Sequence, residues 1–270
     1  MMLDFPNAKI NIGLYITGKQ ANGYHNIESI FYPVPLFDIL EIVPAKEQTK
    51  IRLSGIKIPG SAGDNLVLKA WKLMNHKHQI PPVKINLYKH IPAGSGLGGG
   101  SSDAAFCLQN LNKQFHLGLH TDELLNLALE LGSDCPFFIR NTSVFTTGRG
   151  EIMENTPLNL ERKFALIVFP DIHIDTGTVF KKTEVIPAEY NLRHLHTIPL
   201  SSWKNHIGNQ FEPVVFNLYP HLKDIKDQLY DMGAEYAQMT GTGSAIYGLF
   251  STKPDIDKHV FPYKYALKQM

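Results

Sequence analysis

Cysteine is nearly absent: the 270 residues contain two, Cys107 and Cys135, and neither belongs to a C-x-x-C pair. A disulfide framework is excluded, and free thiols of a cytoplasmic protein are the simpler expectation. No sign of charge dominates. Lys and Arg number 26 against 25 Asp and Glu, for a formal net charge of +1. The basic excess that marks a nucleic-acid surface is therefore missing, although local basic clusters can still hold phosphates. Long apolar runs are missing too. Stretches such as Phe164 to Phe169 fall far below the ~20 residues of a membrane span. The opening MMLDFPNAKINIG lacks a basic segment followed by an apolar one, so no signal peptide is expected. The histidines are scattered, and the pairs His76/His78 and His194/His196 would point apart on a helix; no metal ligands are predicted. What remains is an ordinary globular composition, 43% hydrophobic and 19% charged, long enough for one or two cores.

The first third reads as strand-rich. Ala8 to Thr17 alternates and carries β-branched and aromatic residues, and a turn follows near Gly18 to Gly23. Ile27 to Tyr32, Ile39 to Val43, Ile51 to Leu53 and Val83 to Tyr88 read as further strands. Asn65 to Asn75 places apolar residues at helical spacing. Thr121 to Leu131 reads as a helix capped by Thr121, with acids Asp122 and Glu123 in its first turn and Gly132 past its end. Ser143 to Thr147 and Phe164 to Phe169 look like strands, Ile186 to Pro199 like a loop or soft boundary, and Leu222 to Met232 like a helix. Tyr236 to Phe250 holds a Gly/Thr loop running into a strand. This mixed order predicts an α+β protein, divided into residues 1–150 and 151–270.

The sharpest local signal is Pro92-Ala93-Gly94-Ser95-Gly96-Leu97-Gly98-Gly99-Gly100-Ser101-Ser102. Five of the seven residues from Gly94 to Gly100 are glycine, and Ser101 to Asn112 behind them has helical character with Ser101 or Ser102 as the expected cap. A glycine-rich turn opening a helix aims free N–H groups and the positive dipole end at one point, which suits a phosphate chain. The Ser101 and Ser102 hydroxyls can add donors. A plain flexible linker is the competing reading, but linkers rarely join a strand to a capped helix. No lysine follows the glycines as in G-x-x-x-x-G-K-[ST]. Gly94, Gly96 and Gly99 satisfy G-x-G-x-x-G, yet no acidic residue follows at the expected strand end.

The string PAGSGLGGGSSDAA resembles the phosphate loop of the galactokinase, homoserine kinase, mevalonate kinase and phosphomevalonate kinase superfamily. AKINIGLYITGKQANGYHNIES at 8–29, LGSDCPFFI at 131–139 and MTGTGSAIYGLF at 239–250 agree in order and spacing, so the resemblance spans nearly the whole chain. Within the superfamily it is similar to the branch acting on a cytidine-diphosphate-linked methylerythritol. The resemblance implies a two-domain small-molecule kinase: a ribosomal-protein-S5-like N-terminal domain that binds ATP and catalyses, and a ferredoxin-like C-terminal domain on the substrate side. It implies ATP with Mg²⁺, and transfer to the 2-hydroxyl of 4-(cytidine 5′-diphospho)-2-C-methyl-D-erythritol in non-mevalonate isoprenoid biosynthesis. The expected form is a cytoplasmic monomer or weak homodimer that binds neither nucleic acid nor membrane.

Carried over residue by residue, the resemblance makes Asp134 the base and Lys9 the neighbouring cation that keeps it ionised and steadies charge on the phosphoryl group. Local sequence alone reads them as a helix cap and a surface lysine. Tyr24 is implied as a stacking face for cytosine, His25 as a hydrogen-bond partner of its edge, and Phe180 as the opposing ring. Asn11, two residues from Lys9 on one strand face, is implied at the polyol. Thr176 falls near the reacting groups, although Asp175 and Gly177 replace expected prolines and a structural turn is the rival reading. Asn65 and Lys89 are implied on the ATP side, and Gly241, Thr242 and Gly243 on the substrate side. Ser95 stands where glycine is common and fits if its φ is negative. Two alternatives remain: a homoserine or mevalonate kinase, which would leave Tyr24, His25 and Phe180 without a base to hold, and a non-catalytic nucleotide sensor.

Overall fold

The structure is a computed structural model that describes residues 2–21, 23–58, 60–256 and 262–270, with the backbone alone at Ala62. In chain order its elements are β1 (Met2–Asp4), β2 (Asn7–Lys19), β3 (His25–Phe37), β4 (Ile39–Pro44), β5 (Lys50–Gly55), α1 (Leu66–His78), β6 (Val83–Lys89), α2 (Gly99–Gln114), α3 (Thr121–Leu131), α4 (Cys135–Arg140), β7 (Val144–Thr147), β8 (Ile152–Asn155), β9 (Phe164–Phe169), α5 (Thr176–Lys182), α6 (Glu212–Leu218), α7 (Pro220–Asp231), β10 (Tyr236–Met239), β11 (Ile246–Phe250) and β12 (Lys264–Gln269). The described chain separates into two compact units, neither of them one stretch of sequence. One takes the residues up to Ala8, Leu36–Ala93 and Gly98–Thr142; the other takes Lys9–Pro35, Gly94–Leu97 and the chain from Ser143 on. Among the described residues no helix is long and apolar enough to cross a membrane.

The first unit is a sheet of order β1-β4-β6-β5, antiparallel except for the parallel pair β5–β6, with α1 to α4 beside it. Strand β6 alternates strictly: Val83, Ile85 and Leu87 turn inward and the residues between them outward. The same period of two turns Lys89 inward as well, so a lysine ends an otherwise apolar row. Helix α2 buries Ala104, Ala105, Leu108 and Leu111, the i, i+4, i+7 spacing of one apolar stripe. It contacts β1, β4 and the other three helices.

The second unit holds two sheets, β2-β3-β7-β8 and β10-β11-β9-β12, with β9 antiparallel to both β11 and β12. Strand β2 is buried on both faces from Asn7 to Ile16, which takes Lys9 and Asn11 inside with the apolar residues. Helix α7 packs Leu222, Ile225 and Leu229 against β10 and β11.

Several local expectations change. Helix α2 starts at Gly99, with Gly98 at φ +71° as its cap and no side-chain cap hydrogen bond; neither Ser101 nor Ser102 caps it, because the turn is made by a left-handed glycine three to four residues earlier. Helix α3 is preceded by His120, whose N–H donates to Glu123 Oε2 at 2.8 Å, so Thr121 is its first residue and not its cap. The segment expected as a loop at 186–199 contains a short 3₁₀ turn, Leu192–Thr197, and a second follows at Leu200–Asn205. Leu192, Leu195 and Trp203 from these turns are buried, and a Cβ at Gly13 would lie 2.6 Å from the Leu192 side chain. The segment is mostly exposed and lends Leu192 and Leu195 to the core. Its turns carry too few periods for a pattern to be legible.

Leu229 is fully buried, with its Cβ 3.3 Å from where a side chain on Gly248 would begin. Leu229→Ala is expected to cost about 2–5 kcal/mol through lost burial and a residual cavity, measured by urea unfolding. A loss below about 1 kcal/mol would contradict this packing.

Candidate active site

The leading half of the glycine loop is fastened in the second unit. The Ala245 N–H donates to Ser95 O at 3.1 Å, and the Lys9 N–H donates to Leu97 O at 2.9 Å. Gly96, at φ +81°, lies so close to the backbone of Thr240 that a Cβ on it would sit 2.0 Å from the Thr240 carbonyl oxygen. Ser95 is not among the described residues with positive φ, so a serine is tolerated there without backbone strain.

Thr240 is the hub of this half. Its Oγ1 accepts the Asn11 N–H at 3.1 Å and has its one proton to share between Asn11 Oδ1 (3.3 Å) and Gly96 O (3.2 Å). Asn11 Oδ1 also accepts from the Lys9 ammonium at 2.5 Å, while Asn11 Nδ2 donates to Ser29 Oγ at 3.0 Å. The Lys9 ammonium lies 4.7 Å from the Phe31 ring centroid. A lysine only 3% exposed among such partners is no surface residue; burial costs a charge heavily unless it is paired and hydrogen-bonded. The Gly241–Gly243 loop is held by Asn209, whose Nδ2 donates to Met239 O at 2.8 Å and Gly241 O at 2.7 Å. Thr176, first residue of α5, meets Thr242 through their hydroxyls at 3.0 Å, and Asp175 caps α5 by accepting the Thr178 N–H at 2.7 Å.

The residues expected at the base gather in the same unit. His25 and Phe180 stack with centroids 5.1 Å apart and planes at 28°, so Phe180 lies on His25 and not across an open gap. Tyr24 is 56% exposed, an open aromatic face, and the Arg149 guanidinium lies 5.0 Å from its ring centroid. The Ile27 N–H donates to Gly148 O at 2.7 Å and ties Arg149's turn to β3. Burial, followed by the nearby Lys19 charge, lowers the pKa of His25. The shift favours the neutral imidazole, which has one donor and one acceptor nitrogen.

The first unit carries the trailing glycines, Asp134 and a cavity of about 180 Å³ lined by Leu53, Ile58, Asn65, Lys89, Gly100 and Asp103 among others. Asn65 is fixed as the cap of α1, accepting the Val67 N–H at 2.9 Å. Lys89 is buried, and its ammonium is committed to Asp38 and Asp103. Because no side chain caps α2, its first N–H groups are left for another acceptor. Asp134 sits immediately before α4, whose first turn contains Pro136. The neighbouring Cys135 thiol is pushed up to about 12, mainly by burial, with the Asp134 charge adding and a hydrogen bond from Ser101 opposing. It is therefore an inert thiol. Cys107 is free and buried as well.

The sequence reading missed Thr240, Ser29, Asn209, Arg149, Asp38 and Asp103. Thr240, Ser29 and Asp103 lay inside quoted blocks, so membership of a motif was an available signal. Asn209, Arg149 and Asp38 had none.

Fold and loop together are those of the GHMP kinases: the family's N terminal domain matches residues 65–142 and its C terminal domain residues 195–260. The chain is 45% identical over 263 residues to the 4-diphosphocytidyl-2-C-methyl-D-erythritol kinase of Bacteroides fragilis, covering 96% of each chain. Among solved structures it superposes on a crystal structure of 4-(cytidine 5′-diphospho)-2C-methyl-D-erythritol kinase with a TM-score of 0.76 at 30% identity, covering 92% of this chain and 90% of that one. A homoserine kinase from Cytophaga hutchinsonii shares the fold alone, at TM-score 0.64 and 16% identity over 95% of this chain and 93% of that one. The chain belongs to the family of 4-diphosphocytidyl-2-C-methyl-D-erythritol kinases.

Gly96→Ala tests the fastening of the loop, because its methyl would collide with backbone that cannot swing aside. It is expected to lower kcat/KM at least tenfold and to lower the melting temperature. Gly118→Ala, also at positive φ but with nothing within 4 Å, should cost about 1–2 kcal/mol of stability and leave turnover unchanged. Equal turnover in both variants would contradict the close approach of Gly96 to Thr240.

Proposed function

We infer that this protein transfers the γ-phosphoryl group of ATP to the 2-hydroxyl of 4-(cytidine 5′-diphospho)-2-C-methyl-D-erythritol, a step of non-mevalonate isoprenoid precursor biosynthesis. The observation that carries this reading is the 45% identity over 96% of both chains with a kinase named for that substrate. Homoserine and mevalonate kinases share the fold at 16% identity, too little to carry a substrate.

Phosphoryl transfer demands in-line placement, neutralised charge and an acceptor for the hydroxyl proton. In our reading the N–H groups of the loop and of the start of α2, with Pro92, Ala93 and the Ser101 and Ser102 hydroxyls beside them, hold the phosphates. Asn65 and Lys89 line the nucleotide cavity. Asp134 accepts the hydroxyl proton, and Lys9 keeps that carboxylate ionised and steadies the charge growing on the transferred group. Asn11, Thr176 and the Gly241-Thr242-Gly243 loop face the polyol. Tyr24 offers its open face to cytosine, and the neutral His25, backed by Phe180, reads the pyrimidine edge. ATP binding and catalysis are assigned mainly to residues 1–150 and the substrate side to 151–270.

Mg²⁺ is the ordinary companion of ATP and takes oxygen ligands. Among the described residues no three His, Cys, Asp or Glu side chains cluster to hold a metal. The Ser101 and Ser102 hydroxyls beside the loop would hold a water of an ion carried by the phosphates. The ion would neutralise phosphate charge. We further propose a cytoplasmic monomer or weak homodimer that binds neither nucleic acid nor membrane.

The deciding assay offers ATP with the cytidylated methylerythritol, homoserine or mevalonate in turn. Phosphorylation of the first alone is expected; turnover of either other substrate at comparable kcat/KM would overturn the assignment, and no turnover of any would favour a nucleotide sensor. Asp134→Asn is expected to lower kcat by about 10²–10⁴ while leaving both substrates bound; undiminished turnover would remove it as base. Tyr24→Ala should raise KM for the cytidylated substrate about 5- to 100-fold, the value of one stacked base, with little change for ATP. Equal effects on both would exclude stacking.

A further inference from the structure

The Lys89 ammonium pairs with Asp38 Oδ2 and lies 2.6 Å from Asp103 Oδ2. Lys89 is 3%, Asp38 0% and Asp103 2% exposed. The second oxygen of Asp38 accepts the N–H groups of His90 at 2.6 Å and Ile91 at 2.8 Å. Lys89 ends β6, and Asp103 stands one turn into α2. The triad thus joins the residues just before the glycine loop to the first turns of the helix just after it. Gly99, the first residue of that helix, lies directly over the lysine: a Cβ there would be 3.3 Å from Lys89 Nζ and 2.8 Å from Ile91 Cγ2.

Such a cluster is expensive. Ions lose their hydration on burial, and one ammonium cannot neutralise two carboxylates. Burial, with Asp38 adding and Lys89 opposing, raises the pKa of Asp103. One Asp103 oxygen, Oδ1, is buried without a hydrogen-bond partner. Apolar side chains of equal volume often hold such a position at least as stably, so stability alone does not account for the triad. What apolar packing cannot supply is direction: the Lys89–Asp103 ion pair ties the end of β6 to α2, and two backbone hydrogen bonds hold that end against Asp38.

We propose that Asp38 and Asp103 are positioning residues for ATP, acting through Lys89 to set the spacing between the end of β6 and the start of α2, and with it the direction in which the N–H groups of residues 98–101 point. The proposal rests on the reading of this loop as the phosphate site. Unlike that reading, it concerns carboxylates turned to Lys89, of which Asp103 also lines the cavity and Asp38 does not.

Three variants test it: Asp38→Asn, Asp103→Asn, and the double variant Lys89→Met/Asp103→Leu, which removes one cation and one acid together. Each is measured for melting temperature, for equilibrium binding of a fluorescent ADP analogue, and for KM of ATP and of the cytidylated methylerythritol. In Asp38→Asn, which changes no residue lining the cavity, as in the double variant, ADP affinity should weaken and KM for ATP should rise at least tenfold, with the other KM within twofold and melting within a few degrees of the parent. A folded double variant with unchanged ADP affinity overturns the proposal. So does an equal rise of both KM values, the mark of general loosening. Should the double variant fail to fold, Asp103→Asn, which keeps the shape and an acceptor for Lys89, decides by the same ratio. If the parent protein itself does not bind ADP, the phosphate-loop reading falls and the proposal with it, an outcome distinct from unchanged affinity in the variants.

Discussion

Backbone N–H groups can cradle a polyphosphate only where no side chains stand in the way, and a backbone without side chains is the hardest to hold still. Glycine loses more conformational freedom on ordering than any other residue, so a loop of five glycines in seven residues must be fixed from outside. The fixing is specific to each half. Gly96 is set against the Thr240 carbonyl at a distance no other residue permits, and Ser95 and Leu97 on either side of it are hydrogen-bonded through their carbonyls. The trailing glycines run into a helix whose first residue rests over the Lys89 ammonium. Much of the remaining structure makes those anchors rigid: β2, buried from Asn7 to Ile16, that carries Lys9 and Asn11, the antiparallel pair β10–β11 beside Thr240, and the alternating β6 that delivers Lys89.

Two buried polar networks carry the consequence. Lys9, Asn11, Ser29 and Thr240 form one; Lys89, Asp38 and Asp103 form the other. In a medium of low dielectric such networks are strong when satisfied and costly when broken. They resist small displacements in a way an apolar contact does not, because hydrogen bonds weaken steeply with angle. That stiffness suits a reaction whose barrier is lowered chiefly by placement and charge.

What the sequence disclosed followed the range of the interactions involved. Strand β9 coincides with the expected Phe164 to Phe169, and the helices at 66–78 and 220–231 lie where periodicity puts them. Periodicity is a local signal. The glycine loop was legible because its composition has one physical use ahead of a helix, although the cap was not: serine is the usual cap and here a left-handed glycine serves. Thr240 acts on Asn11 across 229 positions and Lys89 on Asp38 across 51. No spacing rule reaches so far, so the residues that hold the loop were hidden while the loop itself was plain. Likewise Lys89, implied on the ATP side, is turned inward by the strand's own alternation and paired with two carboxylates.

The central proposal is that the loop's N–H groups hold the phosphates and that Lys9 and Asp134 both act on the hydroxyl that receives the phosphoryl group. A crystal structure with a non-hydrolysable ATP analogue and the cytidylated methylerythritol tests it most directly. The account predicts phosphate oxygens within hydrogen-bond distance of N–H groups between Gly96 and Ser101, and the acceptor hydroxyl in contact with both side chains. Phosphates bound elsewhere, or a hydroxyl that neither Lys9 nor Asp134 touches, would contradict it.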